Sequence, residues 1–237
     1  MKKKLIVLTM ALVIFASPVF VKADYYWMSS GFIERAEVKD GITATASGWF
    51  WTWPTYLSGF GIGGTAEIGN MFLNNLAVGG GAYYDRIKFP IYNDSKWQDI
   101  AIAGFAKYQI ISSEEMYKKI EFLPLTISVL GGLKFNIYTF TINGVKYGIG
   151  DTVTGTYYEF YDNFITINAL ALADYPLSYV VDSEFFRDTT ITYFIGLINS
   201  RVNTGIYLWY TPEEQNFSVN VGWFPILGLN GSVYFNF

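Results

Sequence analysis

The stretch GLNGSVYFNF, residues 228–237, alternates apolar and polar side chains up to its last position. Leu229, Val233, Phe235 and Phe237 fall on one side, and Asn230, Ser232, Tyr234 and Asn236 on the other. Successive side chains of a strand point to opposite faces, so this is a strand with one greasy and one polar face. Chain ends are ordinarily solvated and poorly ordered. A closing aromatic on the apolar side implies that this face still meets something apolar there.

The same period recurs back along the chain. In GITATASGWFW, Ile42, Ala44, Ala46 and Phe50 oppose Thr43, Thr45 and Ser47. In YLSGFGIGGTAEI, Phe60, Ile62, Ala66 and Ile68 oppose glycines, Thr65 and Glu67. NLAVGGGAYYD sets Leu76, Val78 and Ala82 against Tyr83 and Asp85. WQDIAIAGFAKYQI sets Ile100, Ile102, Ala106, Tyr108 and Ile110 against Lys107 and Gln109. LTISVLGGLKFNIY sets Leu125, Ile127, Val129, Leu133, Phe135 and Ile137 against Thr126, Ser128, Lys134 and Asn136. Segments near 163–173 and 188–199 are too uniformly apolar to assign faces. RVNTGIYLWY, NFSVNVGW and ILGLNGSVYFNF alternate again, which makes ten candidate strands near the length that crosses a bilayer when tilted.

The chain opens MKKKLIVLTMALVIFASPVFVKAD. Three lysines, an apolar run from Leu5 to Ala16 and the small residues Val21 and Ala23 follow the plan of a cleaved secretory signal over residues 1–23. The run is interrupted by Ser17 and Pro18 and is short for a spanning helix. Cleavage would remove Lys2, Lys3, Lys4 and Lys22 of the 16 basic residues against 20 acidic ones, moving the formal charge from −4 by four units to −8. So acidic a chain is a poor partner for nucleic acid, which needs a basic face. With no cysteine, no disulfide framework supports it after export.

Exported and 19% aromatic, with only 15% charged residues and no further long apolar run, the chain hides its hydrophobicity in alternation. With its signal-like opening and its terminal Phe237 preceded at alternate positions by Phe235 and Val233, it resembles the bacterial outer-membrane β-barrels. The resemblance implies an all-β fold: a closed up-and-down antiparallel transmembrane β-barrel over residues 41–237, of ten strands, with eight as the runner-up. It implies that Val233, Phe235 and Phe237 are read by the outer-membrane assembly machinery, and that outer-membrane lipid is the main partner. Residues 24–40 would be a periplasmic lead-in or an extra strand, and 174–187 a long periplasmic connection. An even strand number with both ends in the periplasm places 86–96 and 141–162 outside, where longer loops belong.

In such a barrel the apolar set faces lipid and the polar set the lumen. Glu67, Asp85, Lys107 and Lys134 then form a lumen charge cluster, because a lysine facing lipid at mid-depth would cost roughly 2–4 kcal/mol. Glu67 and Lys107 lie toward the periplasmic end, Asp85 and Lys134 nearer the outside. A barrel this narrow is filled by side chains, so a mostly plugged lumen is expected. Trp49, Phe50, Trp51, Trp53 and Tyr56, and Trp209, Tyr210, Trp223 and Phe224, would form interfacial aromatic belts.

GFGIGG (59–64) invites a phosphate-loop reading, but such loops need a helix to follow, and here strand alternation continues. Its glycines fit better as space left for aromatic side chains opposite. The chain has no histidine. Triads that use histidine as base are excluded, as are metal centres built on histidine or cysteine. Acids at Asp94 and Asp99, or Glu213 and Glu214, could suit calcium but read better as solvated loop acids. No cofactor is implied. GTYYEFYDN (155–163) has the composition of an adaptable contact surface, offering Tyr157, Tyr158, Phe160 and Tyr161 to a host or neighbouring surface molecule, or to an outer aromatic belt. The expected function is therefore a non-enzymatic outer-membrane β-barrel with a structural or surface-interaction role. The alternatives are a narrow channel or transporter for a small or apolar solute, and a secreted soluble β-sandwich.

Overall fold

A computed structural model describes residues 35–53, 57–89, 95–120, 123–148, 154–155, 158–159, 164–179, 181–198, 201–212, 215–224 and 228–237. The segment proposed as a signal lies outside them. The strands are β1 (Gly41–Trp53), β2 (Leu57–Gly69), β3 (Leu76–Phe89), β4 (Ser95–Ile111), β5 (Thr126–Ile142), β6 (Val145–Tyr147), β7 (Thr154–Gly155), β8 (Tyr158–Glu159), β9 (Ile165–Pro176), β10 (Thr189–Ile198), β11 (Arg201–Tyr210), β12 (Phe217–Phe224) and β13 (Gly228–Asn236). Among the described residues two α-helices, α1 (Ser113–Lys119) and α2 (Glu184–Arg187), and a 3-10 turn, Leu177–Tyr179, lie in connections. The ten long strands match the ten candidate strands of the sequence, including the two whose faces could not be assigned.

All ten belong to one antiparallel sheet. Each strand from β1 to β5 pairs with the next, β5 pairs with β9, and β9 to β13 again pair in order. β13 pairs in turn with β1, from Thr43 opposite Asn236 to Phe50 opposite Leu229. Two stacked sheets, as a sandwich requires, are not what these strands form. Above the reach of β9, the edge of β5 is taken by β6 through an Asn143-Gly144 turn. Both turn residues have positive φ, 49° and 81°, the backbone that tight hairpins require.

Let the lower end be where β1 starts and β13 stops. Connections 70–75, 112–125, 177–188 and 211–216 lie there. The 112–125 connection opens with a capping box, in which the Ser112 hydroxyl accepts from the Glu115 N–H and the Glu115 carboxylate from the Ser112 N–H. The upper end carries the longest connection, 143–164, but its others are shorter than those below. The expectation that long loops gather at one end holds only for that single connection. The described part of 24–40, residues 35–40, forms no strand; it runs along the inner face at the lower end.

Burial alternates along the strands. Over β4 the pattern is unbroken from Asp99 to Phe105 apart from Ala103, with Ile100 and Ile102 exposed and Asp99, Ala101 and Phe105 buried. The exposed set is apolar: Ile42, Phe50, Ile62, Ile137, Ile167, Ile195, Val202, Leu208 and Val221 all stand outward. The buried set includes the strand charges Glu67, Asp85, Asp99, Lys107, Lys134 and Asp174 and the rings of Trp49, Tyr83, Phe105, Phe140, Phe194, Tyr207 and Trp209. This inverts a water-soluble protein, whose greasy side chains turn in and whose charges turn out.

Candidate functional site

Four charges were expected inside, and the structure buries all four: Glu67, Asp85, Lys107 and Lys134 are each at most 3% exposed. They group in two layers. Toward the lower end the Lys107 ammonium meets Glu67 Oε1 at 2.9 Å, and Thr43 Oγ1 donates to the same oxygen at 3.2 Å. In the upper layer Lys134 lies 3.6 Å from Asp99 Oδ2, with its ammonium 5.8 Å from the Tyr83 ring centre. Asp85 stands directly opposite Asp99 in the β3–β4 register, and its Oδ1 accepts from the Trp49 indole N–H at 2.6 Å. The lower layer matches one ammonium to one carboxylate, whereas the upper layer sets two carboxylates against Lys134, with Asp85 held by the Trp49 indole.

Asp99 corrects an expectation: it is no solvated loop acid but a buried partner of Lys134. Its parity in the chain, matching that of Lys107, could have placed it. Asp94, Glu213 and Glu214 lie outside the described residues. Among the described residues no group of three or more Asp or Glu is arranged to hold a metal ion.

Trp49 and Trp209 also depart from expectation. Both were assigned to interfacial belts, and both are buried inside, at 1% and 0% exposure. The glycines on β2 explain Trp49: a Cβ on Gly61 would overlap its indole and the Asp85 carboxylate, and one on Gly63 would meet the Tyr83 ring. GFGIGG therefore makes room for the upper layer. Phe50 and Tyr210 do face outward. The side chains of Trp51, Trp53, Tyr56, Trp223 and Phe224 lie outside the described set.

The residues missed from the sequence cluster at the lower mouth. Arg35 is buried, its Nε 3.3 Å from Asp174 Oδ2 and its guanidinium 6.0 Å from the Trp209 ring centre. Asp174 is the last buried residue of β9, and its other oxygen accepts from Thr192 Oγ1 at 2.5 Å. Lys107 Nζ also donates to the Arg35 carbonyl at 3.1 Å, and the Ser128 hydroxyl donates to the Ala36 carbonyl. Glu37 N–H reaches Asp174 Oδ2 at 3.4 Å, and Val38 N–H donates to Gln109 Oε1 at 2.9 Å. Partial burial pushes the neighbouring Lys39 ammonium down from its ordinary range, against an opposing pull from Glu37. The two layers enclose apolar bulk, with Phe105, Leu130, Leu170, Leu172, Phe194 and Tyr207 buried together.

Of the loop residues singled out, Tyr157, Phe160 and Tyr161 lie outside the described residues, and Tyr158 falls in β8, opposite Gly155 of β7. On β13, Val233 is half-buried, while Phe235 and Phe237 are exposed with their rings stacked at 6.3 Å. Phe237 N–H donates to the Ile42 carbonyl at 2.8 Å, carrying the β13–β1 ladder to that residue.

The structure is an all-β antiparallel sheet whose exposed face is apolar and whose buried face carries charged side chains. No protein-family model matches the chain, and no curated protein matches it. Among solved structures it is similar to the crystal structure of Neisserial surface protein A, with a TM-score of 0.38 and 12% identity over 84% of this chain and 98% of that one. A likeness of that degree defines neither family nor function.

Proposed function

We propose that the chain is a closed, ten-stranded β-barrel of a bacterial outer membrane, without enzymatic activity, whose upper connections face outward. One observation carries this reading: isoleucines at half exposure or more ring the outside, while lysines and carboxylates are sealed inside. In water that arrangement would be unstable. In hydrocarbon it is the stable one, provided every backbone group finds a partner within the sheet. The pairing sequence supports closure, since each long strand has an antiparallel neighbour on both edges and the last pairs with the first. No helix among the described residues is long and apolar enough to cross a membrane, which fits crossing by strands.

The interior favours a structural or surface-contact role over a conducting one, because two ion-paired layers and the intervening aromatic and aliphatic side chains occupy it. The contact face is the connection 143–164 with Tyr157, Tyr158, Phe160 and Tyr161, and Val233, Phe235 and Phe237 are what the outer face of β13 offers to assembly machinery. Two measurements test this. The native protein should fractionate with outer membranes and migrate differently on gels before and after boiling in detergent. Purified barrels should give no large, stable single-channel conductance in planar bilayers. Recovery in the aqueous fraction without a mobility shift would overturn the membrane reading, and steady conductance would overturn the plugged interior. Changing the four loop aromatics to Ser should leave the shift intact and reduce binding to surface partners.

A further inference from the structure

Residues 35–38 lie against the inner wall in a way that a passive lead-in would not. Four successive backbone groups each meet a different side chain of the wall: the Arg35 carbonyl takes Lys107 of β4, the Ala36 carbonyl Ser128 of β5, the Glu37 N–H Asp174 of β9, and the Val38 N–H Gln109 of β4. Burial requires partners for each of these groups, and main-chain bonds of this kind are also what gives an extended peptide its affinity for a binding site. The side chains are sorted as well. Arg35 sits between the Asp174 carboxylate and the Trp209 ring, the pair of contacts that suits a planar guanidinium. Ala36 is fully buried and Val38 nearly so, whereas the side chain of Glu37 is 42% exposed and bonds back to Arg35 at 3.5 Å.

We infer that the lower mouth is a peptide-binding site, filled in cis by Arg35–Val38, which accepts an extended peptide in trans when that segment is displaced. The fitting sequence is an arginine, a small residue, an unrestricted residue and an apolar one. The inference rests on the barrel reading above for the setting of the mouth, but the site itself is defined by the wall residues. A wall built only to neutralise its own charges would need Glu67 with Lys107 and a partner for Asp174. Gln109 and Ser128 bond the backbone of the segment and not its side chains, so they serve any extended backbone that lies there.

The test uses the full mature chain folded in detergent micelles, with trypsin cleavage after Arg35 read by mass spectrometry. The wild-type bond should resist cleavage. In Ala36→Trp the ring cannot enter the buried position, so the segment should leave the mouth and the bond should be cut at least about tenfold faster. A fluorescent peptide copying residues 33–39, IERAEVK, should then bind Ala36→Trp and not wild type, whose site is occupied. Adding Asp174→Asn should weaken that binding by about tenfold or more. Absence of peptide binding to an Ala36→Trp protein that keeps its boiling-dependent mobility overturns the inference, as does wild-type cleavage as fast as in the variant. If Ala36→Trp does not fold, Asp174→Asn alone should speed cleavage after Arg35, and an unchanged rate overturns the inference. Failure of the barrel reading shows separately, as loss of the wild-type mobility shift and of membrane recovery.

Discussion

The two halves of the sheet share an exterior and differ inside. From β1 to β5 the buried positions include five charges, Glu67, Asp85, Asp99, Lys107 and Lys134, set among Thr43, Ser128, Ile87, Phe105 and Leu130, with glycines on β2 giving way to Trp49 and Tyr83. From β9 to β11 they include one charge, Asp174, among Thr166, Asn168, Thr192, Leu170, Leu172, Phe194, Ile198 and Tyr207, with the Phe194 and Tyr207 rings stacked at 5.6 Å. One half holds the ion pairs Glu67–Lys107 and Asp99–Lys134 within its own strands, whereas the single charge of the other is met by Arg35 from outside the sheet. The exterior, apolar in both, follows from the solvent outside and not from what lies within.

That contrast can be broken by experiment. The largest effect is expected for Lys107→Met, which strands the Glu67 carboxylate in the interior and should cost about 3–5 kcal/mol in denaturant unfolding of the reconstituted protein. Restoring balance with Glu67→Leu in the same chain should recover most of that loss, and a double variant as unstable as the single one would show that the pair is not the unit. Next come Ile102→Lys and Ile167→Lys, one on the outside of each half. Each should lose about 2–4 kcal/mol in a bilayer if the shared exterior faces lipid. A loss in one half only would mean that only that half is embedded. Ile198→Val, on the buried face of the second half and in no ion pair, should cost about 0.5–1.5 kcal/mol. A cost matching the Lys107 variant would erase the distinction between the halves.

The smallest effect is expected outside the sheet. On α1 the hydrogen bond from Lys118 holds the Glu114 carboxyl below its ordinary range, and Glu114 holds the Lys118 ammonium above its own. The carboxylate's contribution is present above its unfolded pKa and lost as pH falls through the folded one; the ammonium's is present below its unfolded pKa and lost as pH rises through the folded one. Both groups are exposed, so water screens the pair. Glu114→Gln should therefore leave the unfolding midpoint unchanged within error from acid to neutral pH.

The same contrast explains what the sequence disclosed. Faces could be read from β1 to β5 because polar residues mark the inward positions. In β9 and β10 both faces are greasy over Leu170 to Ala173 and Phe194 to Ile198, so alternation carries no label there even though the strands themselves could be found. Lys107 and Lys134 were legible because a cation on the outside would be so costly. Arg35 was not, since four charges within 34–39 look solvated until Asp174, far along the chain, is brought beside it. Trp49 was misplaced for a related reason: the space it fills is made by an absence of side chain on the neighbouring strand, at Gly61.

The ladder between β1 and β13 sets the order of assembly. Most other neighbours are joined by short connections and can zip as hairpins, and β5 finds β9 across one longer connection. Thr43 must instead wait for Asn236. The entropic toll of so distant a meeting grows only logarithmically, but the search is slow. Until it succeeds, the GITATASGWFW edge presents unpaired amides and carbonyls to any strand that passes, which makes the first strand the point at which a half-made molecule is most prone to join the wrong neighbour.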